Sequence, residues 1–118
     1  DMNRKYQDGD AIYAGVAKKF SRWPNAVVVR GRVPDSLAAM ARSEKVAYAS
    51  IDMNVASAEM AAAEFLWPRL VPGAFMLLDD YGGAAHRNHK HVWDGFAEKH
   101  GLMILSLPTG QGLLMKPR

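Results

Sequence analysis

The chain has 118 residues, 49% of them hydrophobic and 23% charged, with a net charge of +3 and no cysteine. That length suits one domain with one core, and the composition is that of a soluble globular chain. Thiolate metal sites, disulfides and cysteine nucleophiles are excluded, no apolar run is long enough to span a membrane, and the basic excess is too dispersed to mark a nucleic-acid stripe.

The start, DMNRKYQDGD, lacks the charged-then-apolar pattern of a signal peptide. With the missing cysteines, this fits a cytoplasmic protein with neither membrane nor nucleic acid as partner. Ile12, Val16, Lys19, Phe20 and Trp23 fall at helical spacing, so the period predicts a helix from about Asp10 to Arg22. Trp23-Pro24-Asn25 ends it. AVVVR, Ala26 to Arg30, is a β-branched run and reads as a buried strand. Gly31 follows, with a turn at Val33-Pro34. Asp35 or Ser36 can cap a short helix reaching about Arg42.

VAYASI, Val46 to Ile51, reads as the next strand and runs into Asp52. Ala58, Ala61, Ala62, Phe65 and Leu66 form a helical stripe. Glu59 sits near its start, where the helix dipole favours an acid. Pro68 ends or kinks that helix. Val71-Pro72-Gly73 reads as a turn, and AFMLL, Ala74 to Leu78, as a third strand ending at Asp79-Asp80. His89, Val92, Trp93 and Phe96 share one helix face, with Gly101 suited to the position after that helix. MILSL, Met103 to Leu107, and GLLMK, Gly112 to Lys116, read as two last strands joined closely enough for a hairpin.

Strands alternating with helices imply an α/β fold: a mostly parallel sheet covered on both faces, with an antiparallel hairpin at its carboxyl-terminal edge. In such sheets ligands bind at the carboxyl ends of the strands. Asp52 and the pair Asp79-Asp80 both lie there. Converging carboxylates repel, and a hard divalent cation such as magnesium offsets them. Consecutive strand residues point to opposite faces. Asp79 and Asp80 therefore share a cation only if the backbone turns, and Tyr81-Gly82-Gly83 supplies turn residues. The alternative is that one acid caps the next helix and the other is solvated. A nucleotide triphosphatase reading fails, because the chain has no phosphate-cradling G-x-x-x-x-G-K-[ST] loop.

IDMNVASAEMAAAEFLWPRLVPGAFMLLDDYGG resembles the segment around the two acidic motifs of macrocin O-methyltransferase-like enzymes. These are class I S-adenosylmethionine-dependent methyltransferases that act on hydroxyls of sugars. VVVRGRVPDSLA upstream and LPTGQGLLMK downstream extend the likeness from about Pro24 to Lys116. The resemblance implies a Rossmann-like methyltransferase fold, S-adenosylmethionine and Mg2+ as cofactors, and a small-molecule acceptor. It implies Asp52, Asp79 and Asp80 as metal ligands, and Gly31, Arg32 and Val33, with Asp52, as cofactor contacts. The family often has an acid two residues after its first metal ligand, taken as the general base. Asn54 stands there and cannot take a proton. His86, in the loop after the acid pair, is the best-placed substitute. His89 and His91 do not share a helix face, so the spacing argues against a metal site formed by those two.

The family's opening strand and glycine-rich turn have no counterpart in the chain. The resemblance therefore implies the carboxyl-terminal half of a methyltransferase domain, inactive alone, with an exposed sheet edge and face that a second copy would cover. A non-catalytic oligomerisation or interaction module is the rival reading. A metal-dependent hydrolase on a similar sheet is a weaker third.

Overall fold

The structure is a computed structural model that describes residues 8–40 and 45–118. The chain divides into two compact units, Asp1–Arg32 and Val33–Arg118. The first holds helix α1, Gly9–Phe20, which starts where the Asp8 carboxylate accepts from the Ala11 N–H at 3.0 Å. Lys18 and Lys19 sit in its last turn, where cations suit the helix dipole. Within this unit Arg30 ion-pairs with Asp10, and Phe20 packs on Trp23 with ring centroids 5.7 Å apart.

The AVVVR run does not form the expected strand. Residues 26–30 make no ladder pair, and Val27 is 83% exposed. β-branched propensity describes a side chain's fit to a pleated, half-buried surface. Among the described residues this run makes no ladder pair.

The second unit carries the core. A 3-10 turn, Asp35–Met40, buries Leu37. Arg42, where the sequence ends this helix, lies outside the described residues. Strand β1, Val46–Ile51, has the bounds its sequence predicts. Helix α2, Ala56–Leu66, follows and buries Glu59, Ala62, Ala63 and Leu66. The buried face is thus rotated from the predicted stripe, and it includes an acid. A 3-10 turn, Trp67–Arg69, leads into β2, Leu70–Leu78. This strand begins earlier than expected. Val46 to Tyr48 faces Leu70 to Phe75 across the ladder, so Val71-Pro72-Gly73 is an irregularity inside β2 and not a turn before it. Gly73 takes φ 83°, which favours glycine. Its N–H donates to the Lys116 carbonyl at 2.8 Å.

Helix α3, Arg87–Lys99, buries His89, Trp93, Phe96 and Ala97, close to the predicted face. Gly101, at φ 65°, ends it in the left-handed conformation expected of that position. Of the MILSL run only Leu105–Ser106 pairs, as β3. Strand β4 is Gly112–Met115.

The sheet order is β1-β2-β4-β3. Only β1 and β2 pair in parallel, while β2–β4 and β3–β4 are antiparallel. The expectation of a mostly parallel sheet is therefore corrected. The expected antiparallel hairpin forms at one edge, with β3 outermost and β4 between β3 and β2, where Leu114 is fully buried. The core lies on one face of the sheet. Ala49, Ile51, Met76, Leu78 and Leu114 share the core with Ala62 and Leu66 of α2 and Trp93 and Phe96 of α3. The cross-strand row Tyr48–Phe75–Met115 on the other face is exposed. No described helix is long and apolar enough to cross a membrane.

Candidate metal centre

The parallel pair places the acids. Ile51 and Leu78 are partners, and the Asp79 N–H donates to the Ile51 carbonyl at 3.0 Å, so the ladder runs one residue past β2. Asp52 follows Ile51 and is thereby brought beside Asp79. The chain then turns at Asp80, the condition under which consecutive acids can face one point. A carboxylate oxygen from each of Asp52, Asp79 and Asp80 lies within 4.8 Å of the other two.

Two glycine contacts hold the turn. The Gly82 N–H donates to the Gly110 carbonyl at 2.6 Å, and a Cβ on Gly82 would stand 2.7 Å from that oxygen. A Cβ on Gly112 would meet the Tyr81 ring at 2.7 Å and Ile104 at 2.9 Å. Tyr81 is buried against this glycine, and its hydroxyl donates to Asp94 at 2.5 Å. Lys90 closes the arrangement, with Nζ 2.8 Å from Asp94 and 3.3 Å from the Tyr81 oxygen. Burial and the bond to Asp94 raise the Tyr81 hydroxyl's pKa. Burial alone would raise Asp94, but bonds from Lys90 and Tyr81 outweigh it and hold that carboxyl below its ordinary value.

The acid cluster has few cationic neighbours. Among the described residues no lysine or arginine pairs with Asp52, Asp79 or Asp80. The Gln111 amide donates to Asp79 Oδ1 at 2.7 Å, and His86 Nε2 stands 3.5 Å from Asp80 Oδ1. Asp80 Oδ2 is buried without a hydrogen-bond partner. The Asp52 pKa is raised, by partial desolvation first and then by the charges of Asp79 and Asp80. A raised acid, an orphaned oxygen and an all-oxygen donor set fit a hard divalent cation, which would be held by Asp52, Asp79 and Asp80. Over residues 16–105 the sequence matches the family described as Macrocin-O-methyltransferase (TylF).

The chain belongs to the macrocin O-methyltransferase family. The matched span contains all three acids and His86. No curated protein matches the chain. Membership suggests an O-methyltransferase.

The remaining expected site residues fall in different places. Gly31 and Arg32 belong to the first unit and line a groove of about 420 Å³ with Tyr13, Val16 and Val28. Gly31 takes φ 141°, open only to glycine at low cost. Val33 and Asp52 belong to the second unit, where Val33 packs against the core. Asn54 is exposed at φ 57°, a left-handed position that asparagine tolerates. It makes the turn between β1 and α2.

Sequence reasoning missed Gln111, Asp94 and the burial of Glu59. Gln111 lies in a Gly-rich hairpin turn with no chemical pattern around it. Glu59 left one trace, an acid within an alanine-rich apolar stretch.

Proposed function

We propose that this macrocin O-methyltransferase family chain serves a metal-assisted transfer of a methyl group from S-adenosylmethionine to a hydroxyl of a small molecule, with a sugar as the acceptor class. The observation that carries the reading is the convergence of Asp52, Asp79 and Asp80 at the ends of two parallel strands. Asp52, Asp79 and Asp80 hold the cation. A bound divalent ion supplies Lewis acidity that lowers the pKa of an acceptor hydroxyl. Gln111 fixes the rotamer of Asp79 through Oδ1. His86 keeps Nε2 toward Asp80, leaving Nδ1 to take the hydroxyl proton. Proximity of donor and acceptor supplies much of the remaining rate.

The test is a calorimetric titration of S-adenosylmethionine, with magnesium present, into the 118-residue chain and into a version extended upstream to any native start. Binding to the extended chain alone supports the reading with activity absent from the shorter chain. Binding to neither overturns the methyl-donor assignment.

Asn54 favours a second reading, a non-catalytic module, because a neutral amide cannot serve as base. In that reading a second copy pairs with the free edge of β1 and covers the Tyr48–Phe75–Met115 row beside it. Sedimentation velocity tests it. A dimer that Phe75→Lys dissociates supports the module, and a monomeric wild type refutes it.

A further inference from the structure

We propose that Asp80, His86 and His89 form a second cation site, which shares Asp80 with the acid triad and is suited to a borderline transition ion such as Zn2+. One carboxylate oxygen of Asp80 and one ring nitrogen from each histidine lie within 4.8 Å of one another. His86 comes from the 3-10 turn Ala84–His86, and His89 from the first turn of α3. Their rings stand perpendicular with centroids 5.0 Å apart. This is the pairing the sequence did not offer, since its His-x-His spacing drew notice to His89 and His91.

Three observations point to a ligand here. His89 has a side chain only 9% exposed, and its Nε2 lacks a hydrogen-bond partner. Asp80 Oδ2 is also buried and unpartnered. Unpartnered buried polar atoms are costly, and the His89 nitrogen lies outside the acid triad. Third, a supporting carboxylate is already in place. Glu59 is buried on α2, with Oε2 accepting from Trp93 Nε1 at 2.9 Å and Oε1 from the Met53 N–H at 3.4 Å. Its Oε1 is also 3.7 Å from His89 Nε2. That carboxylate faces the same nitrogen that lacks a partner, so its negative charge favours a cation there.

The donor set gives the ion class. Imidazole with carboxylate suits Zn, Fe, Ni or Co, whereas Mg2+ prefers oxygen alone. Ligand atoms on tetrahedral zinc sit about 3.4 Å apart, given bonds of about 2.0–2.1 Å. His86 Nε2 and Asp80 Oδ1 are at 3.5 Å, so that pair is nearly in place. Occupancy would engage His86 and Asp80 together, so the ion would oppose any role of His86 as proton acceptor.

The test uses Co2+ as probe on the full 118-residue chain, read by visible d–d absorption, with His86→Ala and Asp52→Asn as variants. His86 is half-buried in a turn, so its truncation leaves the core intact. The expected result is one bound Co2+ with imidazole-type bands, affinity at least 10-fold weaker in His86→Ala, and unchanged bands in Asp52→Asn. Asp52 belongs only to the acid triad. Its loss therefore separates this site from the one in the proposed function, which Mg2+ titration reads. Absent bands in the wild type, wild-type binding in His86→Ala, or equal loss in both variants would overturn the separate site.

Discussion

Helices α1 and α3 both show an apolar face at helical spacing, yet they meet different fates. α1 buries none of its residues, and Ile12, Val16 and Phe20 remain about 40% exposed. α3 buries Trp93 to 1% and Phe96 to 4% against the sheet and α2. The period of a stripe specifies which face a helix offers. Whether that face is buried depends on the elements beside it, which a local pattern does not encode.

That contrast predicts unequal mutational costs. Trp93→Ala should destabilise the second unit by about 3–5 kcal/mol, the range for a large aromatic removed from a packed core. Phe20→Ala should change stability by no more than about 0.5 kcal/mol, as for surface substitutions. Urea denaturation of both variants measures the difference, and equal costs would break the comparison.

Glycines sharpen it. Gly112→Ala places a Cβ 2.7 Å from the Tyr81 ring, and overpacking of this kind costs about 1–3 kcal/mol. Gly15→Ala in α1 meets nothing within 4 Å. It should stabilise the helix by about 0.5–1 kcal/mol. Thermal melts of the two variants should shift in opposite directions.

A smaller effect is expected at Asp94. Asp94→Ala leaves the Tyr81 hydroxyl without its acceptor and should cost about 1 kcal/mol, since the acid is half exposed. The Asp94 carboxyl is held below its unfolded value in the folded chain. Its stabilisation is therefore fully present above that unfolded value and is lost as pH falls through the depressed one. The wild type should lose stability over that acid window, and Asp94→Ala should lose less. Denaturation midpoints as a function of pH check this.

Much of the second unit was legible in its sequence. VAYASI kept its bounds, Gly101 closed its helix, and the acid pair stood at a strand end as its apolar run implied. These are local signals of period, turn chemistry and capping. What failed was pairing. The AVVVR run has the composition of a strand, but makes no ladder pair among the described residues. The GLLMK run formed the edge hairpin its short connection implied, with β3 as the outer strand, but nothing local showed that it would also pair with β2 and bury Leu114. The site shows the same division. Asp52, Asp79 and Asp80 could be read from strand ends, whereas the bond from Gln111 to Asp79 joins residues with no shared pattern. Glu59 was read as a dipole partner at a helix start, and its burial beside Trp93 and His89 depends on how α2 packs on α3.

The central claim is that the three acids hold a hard divalent cation. Calorimetric titration of Mg2+ into the wild type and Asp79→Asn tests it most directly. The account predicts one site, weakened at least 10-fold in the variant. The affinity should fall as pH is lowered through the raised pKa of Asp52, because the carboxylate must be deprotonated to bind. Equal Mg2+ affinity in wild type and Asp79→Asn would contradict it.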